Sequence, residues 1–232
     1  TKELCVEEKT SRCDLVTNVD KFIEKFYVDR IRETFPNSKI LGEEGEADKD
    51  LDNFKGLLWI IDPIDGTMNF VKQHDHFASM IAVCENGIEK LGYILDVTED
   101  ELYWGGPECG VFCNDQKVAP PKNLPLEEGL FGVGGKMLLS NYRNVQSAAK
   151  KSLGVRIYGS SGIEFIHVLT GKNVSYLSHL RPWDYAAGKI LAETLGLVVK
   201  TIDEESLDML SSSDVLVATK NAHQGIIKLM NS

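Results

Sequence analysis

Positive charge is in short supply here: 25 Lys and Arg stand against 35 Asp and Glu in 232 residues, a net charge of −10. That deficit excludes the basic stripe that tracks nucleic-acid phosphates, so no nucleic-acid partner is expected. Long apolar runs are also missing and no signal-peptide pattern opens the chain at Thr1, so a cytoplasmic protein without a membrane partner is expected. The five cysteines, Cys5, Cys13, Cys84, Cys109 and Cys113, lack paired Cys-x-x-Cys spacing and read as reduced thiols. Cys109 and Cys113 flank a Gly-Val-Phe turn and read as packing residues. His74, His76, His167, His179 and His223 show no metal-ligand spacing and read as surface or core residues. A P-loop string is absent, which argues against a P-loop kinase, and Gly132-Val-Gly134-Gly135-Lys-Met137 lacks the last Gly of a dinucleotide fingerprint.

What is present is ordinary globular material, 43% hydrophobic and 26% charged, enough for one large domain or two joined halves. Asp20 to Phe35 reads as an amphipathic helix with Phe22, Ile23, Phe26 and Ile31 inward and Pro36 as its stop. Gly56 to Asp62 reads as a buried strand ended by Pro63. Asn86-Gly87 between apolar runs predicts a hairpin, because both residues tolerate positive φ. With short strands near Glu101–Trp104 and Val111–Asn114, the first half reads as helix plus antiparallel sheet. Pro120, Pro121 and Pro125 mark a joint, dividing residues 1–120 from 121–232. Beyond it the pattern alternates: helices at Glu164–Leu169, Asp184–Leu195 and His223–Met230, strands at Leu197–Ile202 and Val215–Thr219. The fold class is mixed α/β (α+β).

Four segments carry chemistry. Trp59-Ile-Ile-Asp62-Pro63-Ile64-Asp65-Gly66-Thr67-Met68-Asn69-Phe70 delivers two carboxylates at a strand end, a pair suited to bridging hard cations. Backbone N–H groups at Gly66 and Thr67 suit a phosphate oxygen. Alone, this could be a strand and an Asp-Gly turn. Leu41-Gly42-Glu43-Glu44-Gly45 sets adjacent acids in a turn, Thr17-Asn18-Val19-Asp20 sets a hydroxyl and a carboxylate at a helix start, and Arg181-Pro182-Trp183-Asp184 sets an acid at another.

Together these segments resemble the inositol monophosphatase family of the lithium-sensitive, Mg²⁺-dependent phosphatases. The carriers are Asp-Pro-Ile-Asp-Gly-Thr-x-Asn-Phe, Trp-Asp-x-Ala-Ala-Gly, Glu43-Glu44 and Asp14-Leu-Val-Thr-Asn-Val-Asp20. The resemblance implies a layered α-β-α-β-α fold and hydrolysis of small phosphate monoesters by metal-activated water, with two or three Mg²⁺ per site. It implies Glu43, Asp62, Asp65, Asp184 and the Ile64 carbonyl as metal ligands. Asp20 and Thr67, with Glu44 nearby, would orient the water. Asp65, Gly66, Thr67, Gly159, Ser160, Ser161 and Asp184 would meet the substrate, the 159–161 loop through its backbone. Lithium sensitivity and a homodimer are implied as well.

Substrate identity stays open at this level. Lys172 to Trp183 holds no Asp or Glu where inositol-selective members place a hydroxyl-binding acid, so broad specificity is expected, unless a residue near Glu164 supplies the acceptor. A phosphatase of 3′-phosphoadenosine phosphates or NADP is an alternative, although Met68-Asn69 stands where those members favour Lys-Glu. A non-catalytic regulatory member is another.

Overall fold

Asn86 and Gly87 both adopt positive φ, 54° and 79°, and join two antiparallel strands of a seven-stranded sheet. In the computed structural model, which describes residues 4–11, 14–45, 47–51 and 54–231, the chain opens with a hairpin of β1 (Val6–Ser11) and β2 (Asp14–Thr17). Helix α1 (Asn18–Thr34) follows, started by a capping box in which Thr17 and Asp20 bond each other's backbone. The large sheet takes β3 (Lys39–Gly42), β4 (Leu57–Asp65), β5 (Ala78–Glu85), β6 (Ile88–Asp96), β7 (Glu101–Gly106), β8 (Gly110–Cys113) and β9 (Gln116–Lys117) in sequence order. Helix α2 (Thr67–Lys72) sits between β4 and β5.

The rest alternates: β10 (Leu130–Val133), α3 (Gly135–Leu139), α4 (Val145–Lys151), β11 (Gly154–Arg156), α5 (Ser161–Leu169), β12 (Ser175–Leu180), α6 (Pro182–Thr194), β13 (Val198–Thr201), β14 (Ser213–Ala218) and α7 (Lys220–Met230). Its strands form a five-stranded sheet ordered β11-β10-β12-β14-β13.

Helices α5 and α6 fill the space between the sheets. Phe165, Ala186, Ile190 and Leu191 share one core with Ile60, Met80 and Ile94 on one side and Tyr176, Val215 and Val217 on the other. Small residues make this approach possible: a Cβ on Gly92 would lie 2.5 Å from the Ala187 carbonyl oxygen. Outside, Val28 and Ile31 of α1 pack on Ile40 and Ile61, while α4 and α7 cover Phe131, Leu177 and Leu216. The layering is α-β-α-β-α, as the resemblance implied. Among the described residues, no helix is long and apolar enough to cross a membrane.

Several local expectations need correcting. Phe22 and Phe26 are exposed, and α1 instead buries Asp20, Glu24, Val28 and Ile31, because its first turns face polar groups rather than the core. Pro63 does not end its strand. β4 continues to Asp65, and its pairing with β5 passes from Asp62–Met80 to Asp65–Ala78, three residues against two. That bulge accommodates a residue with no N–H to give the ladder. The sheet is not wholly antiparallel, since β3 and β4 run parallel. Gly110-Val111-Phe112 is strand rather than turn, and Cys109 is exposed. Cys13 and Thr1 lie outside the described residues.

Candidate active site

The bulge in β4 has a geometric result. Residues three apart on a regular strand point to opposite faces, and one extra residue restores the parity. Asp62 and Asp65 thereby converge, and Asp184 from the first turn of α6 joins them. Each offers an oxygen within 4.8 Å of the others'. Among the described residues no second such trio of His, Cys, Asp or Glu is found.

Each carboxylate is placed differently. Asp65 is held by the start of α5: the hydroxyl of Ser160 and the N–H of Gly162 (2.7 Å) donate to Oδ2, and the N–H (3.1 Å) and hydroxyl (2.8 Å) of Ser161 donate to Oδ1. Asp184 accepts the backbone N–H of Arg181 at 2.8 Å. Asp62 is buried, and its Oδ1 has no hydrogen-bond partner. Burial, then the charges of Glu43, Asp65 and Asp184, push the Asp62 carboxyl well above the usual range. Burial and Asp65 raise Asp184 likewise. An orphaned buried oxygen among crowded acids is a poor arrangement for a bare protein and a fitting one for a hard divalent cation.

Glu43 and Glu44 follow β3. The N–H of Glu43 donates to Ile61 O at 3.2 Å, and that of Glu44 to Glu24 Oε2 at 2.8 Å. Burial raises both carboxyls, Glu44 to about 7. Lys9 Nζ reaches Glu43 Oε1 at 2.9 Å and Glu44 Oε1 at 2.6 Å. Burial opposes the Lys9 charge, but the two glutamates outweigh it and raise its pKa.

Thr67 Oγ1 donates to Ile64 O at 3.1 Å and lies 3.3 Å from Asp20 Oδ1. The other Asp20 oxygen accepts the Thr17 hydroxyl and, at 2.9 Å, the Thr17 N–H. Gly66 takes φ 88°, and a Cβ there would come 2.9 Å from Ser160 Cβ, which brings the start of α2 against the 159–161 loop. The structure thus joins Asp62, Asp65 and Asp184 in one cluster and links Thr67 to Asp20 and Ile64, while Ser160 and Ser161 turn their hydroxyls to Asp65.

A cavity of about 370 Å³ opens beside Asp65 and Asp184, lined by Lys136, Ser160, Glu164, Tyr176 and His179 among others. His179 Nδ1 lies 2.8 Å from Asp214 Oδ1. Burial pushes Glu164 up to about 8. Lys9 and Glu24 escaped sequence reasoning. The available signal for Glu24 was its place one helical turn after Asp20, on the same face.

Residues 1–232 match the family model described as the inositol monophosphatase family. The inositol-1-monophosphatase of Bacillus subtilis (strain 168) is 42% identical over 232 residues, covering 98% of this chain and 87% of the relative. The crystal structure of an IMPase/NADP phosphatase complexed with Mg²⁺ and phosphate superposes with a TM-score of 0.93 at 32% identity, over 99% of this chain and 87% of that one. A staphylococcal inositol monophosphatase-1, solved as a LiCl-soaked inhibitory complex, also gives 0.93 at 32% identity, over 99% and 86% of the two chains.

Proposed function

Because the chain belongs to the inositol monophosphatase family, we propose that its phosphoric monoester hydrolase activity is Mg²⁺-dependent and runs through the residues gathered at the end of β4. The observation that carries this reading is the Asp62–Asp65–Asp184 trio with the unpartnered Asp62 Oδ1. Asp62, Asp65, Asp184, Glu43 and the Ile64 carbonyl would hold two or three Mg²⁺ ions. Magnesium, when bound, would acidify water and screen the charge of the phosphate.

The remaining roles belong to the chain itself. Thr67, held between Ile64 O and Asp20, orients the attacking water, and Asp20 takes up its proton. Glu44, ion-paired with Lys9, stands nearby as a further catalytic residue. The N–H groups of Gly66 and Thr67 bind phosphate oxygens, and the 159–161 loop faces the leaving alcohol.

The substrate is a small phosphorylated metabolite. Residues 172–183, which include β12, hold no acid, and Glu164 already accepts Tyr158 N and Asn173 Nδ2. Specificity is accordingly broad, taking inositol 1-phosphate, glycerol 2-phosphate and a nucleotide 2′- or 3′-phosphate. The two halves, 1–120 with most of the metal ligands and 121–232 with Asp184 and the substrate loop, meet at the site. Exposed Leu139, Leu153 and Ile157, on α3 and either side of β11, support a homodimer. The free thiols of Cys5, Cys84 and Cys109 fit a cytoplasmic location.

The test is phosphate release from those three substrates by the purified protein, with and without Mg²⁺. No release from any of them would sink the reading, and a preference above about a thousandfold for inositol 1-phosphate would sink its breadth.

A further inference from the structure

The backbone of one residue behind the site, Tyr158, is gripped at its N–H and at its C=O by buried side chains from the two parts of the chain. Tyr158 O accepts Asn69 Nδ2 at 2.7 Å, and Tyr158 N donates to Glu164 Oε1 at 3.0 Å. Asn69, from α2, is 7% exposed and Glu164, from α5, is 1% exposed. The same Asn69 amide donates to His76 O at 2.8 Å, and Glu164 Oε2 accepts Asn173 Nδ2 at 3.3 Å. Space is reserved for both: a Cβ on Gly132 would overlap Glu164 Oε2, and one on Gly159 would lie 3.2 Å from Asn69 Oδ1.

Directly after Tyr158 come Gly159, at φ 78°, and then Ser160, Ser161 and Gly162, whose four donors fix both oxygens of Asp65. We propose that Asn69 and Glu164 are positioning residues: by clamping the backbone of Tyr158 at its C=O and N–H they set the 159–162 loop, and through it the orientation of Asp65 toward a divalent cation. This rests on the reading of Asp65 as a metal ligand. The clamp works through an oxygen acceptor on residue 164 and an N–H donor on residue 69, so each has a shape-conserving control. Glu164→Gln keeps a carbonyl oxygen for Tyr158 N. Asn69→Asp keeps the size and removes the donor to Tyr158 O and to His76 O.

The experiment compares wild type with Glu164→Ala, Glu164→Gln and Asn69→Asp by amide hydrogen exchange at Ser161 and Gly162 and by Mn²⁺ binding followed by electron paramagnetic resonance. Exchange should quicken, and Mn²⁺ affinity should fall, by about tenfold or more in Glu164→Ala and Asn69→Asp, each of which loses two buried hydrogen bonds. Glu164→Gln should stay within about twofold of wild type. Unchanged exchange in a folded Asn69→Asp protein overturns the clamp, as does a Glu164→Gln protein as impaired as Glu164→Ala. If Glu164→Ala does not fold, the Asn69→Asp and Glu164→Gln pair still decides. Faster exchange with unaltered Mn²⁺ binding would keep the clamp but strike out its link to the metal, and none of these readouts requires that the protein release phosphate.

Discussion

The Glu24 carboxylate accepts the backbone N–H of Glu44 at 2.8 Å and fills the space where a side chain on Gly42 would stand, 2.6 Å from such a Cβ. A buried acid on α1 thus sets the path of the Glu43–Glu44 turn. Glu24→Ala removes a charge-assisted hydrogen bond worth roughly 1.5–3 kcal/mol. Gly42→Ala should displace the same carboxylate. Both variants should melt several degrees lower and need more Mg²⁺ for half-maximal activity. Melting curves and Mg²⁺ titrations check this, and wild-type values for both variants would refute it.

Asp62→Asn should behave oppositely in its two readouts. Loss of one charge among the cations should cut turnover by roughly 4 kcal/mol in barrier, about a thousandfold. In chelator, however, the variant should be more stable than wild type, because a buried carboxylate beside three other acids is gone. Urea denaturation in EDTA, paired with phosphate release at saturating Mg²⁺, measures both.

Glu164 gives a pH dependence with a definite sign. Its carboxyl is raised from 4.5 to about 8, chiefly by burial, with the Asp65 charge adding and the bonds from Tyr158 and Asn173 opposing. The folded state therefore holds a proton that the unfolded chain releases. Its contribution to stability is complete below pH 4.5 and is lost as pH rises through about 8. The slope is at most roughly 1.4 kcal/mol per pH unit. Urea midpoints in EDTA should fall less between pH 5 and 8 in Glu164→Gln than in wild type, and parallel declines would contradict the assignment.

Legibility in the sequence followed how local each signal was. Asp62, Asp65 and Asp184 stand in short strings whose residue order carries their identity, and the Asn86-Gly87 turn is decided by two residues' φ preferences. Phe22 and Phe26 misled because helical spacing fixes which residues share a face, not what that face meets. Pro63 misled because a bulge depends on the partner strand β5. Lys9 could not be found at all from its own segment: its meaning comes from a turn 34 residues away.

Lithium discriminates among cation sites without touching the protein. If an ion held loosely beside Glu43 takes part in turnover, Li⁺ at millimolar concentrations should slow phosphate release, while Na⁺ at the same ionic strength leaves it unchanged. Superimposable titrations of the two salts would remove that ion from the account.

Asp65 comes from β4, yet the four hydrogen-bond donors described above as holding it lie at the start of α5, 95 to 97 residues further along. Such contacts close only after long loops have paid their entropy. In a refolding time course, secondary structure should consequently appear before competence to bind a divalent ion. The interval between the two signals times the docking of α5 and α6 onto the larger sheet. Metal binding is then a clock for the last act of assembly, and a chain cut short before α6 would have strands but no working centre.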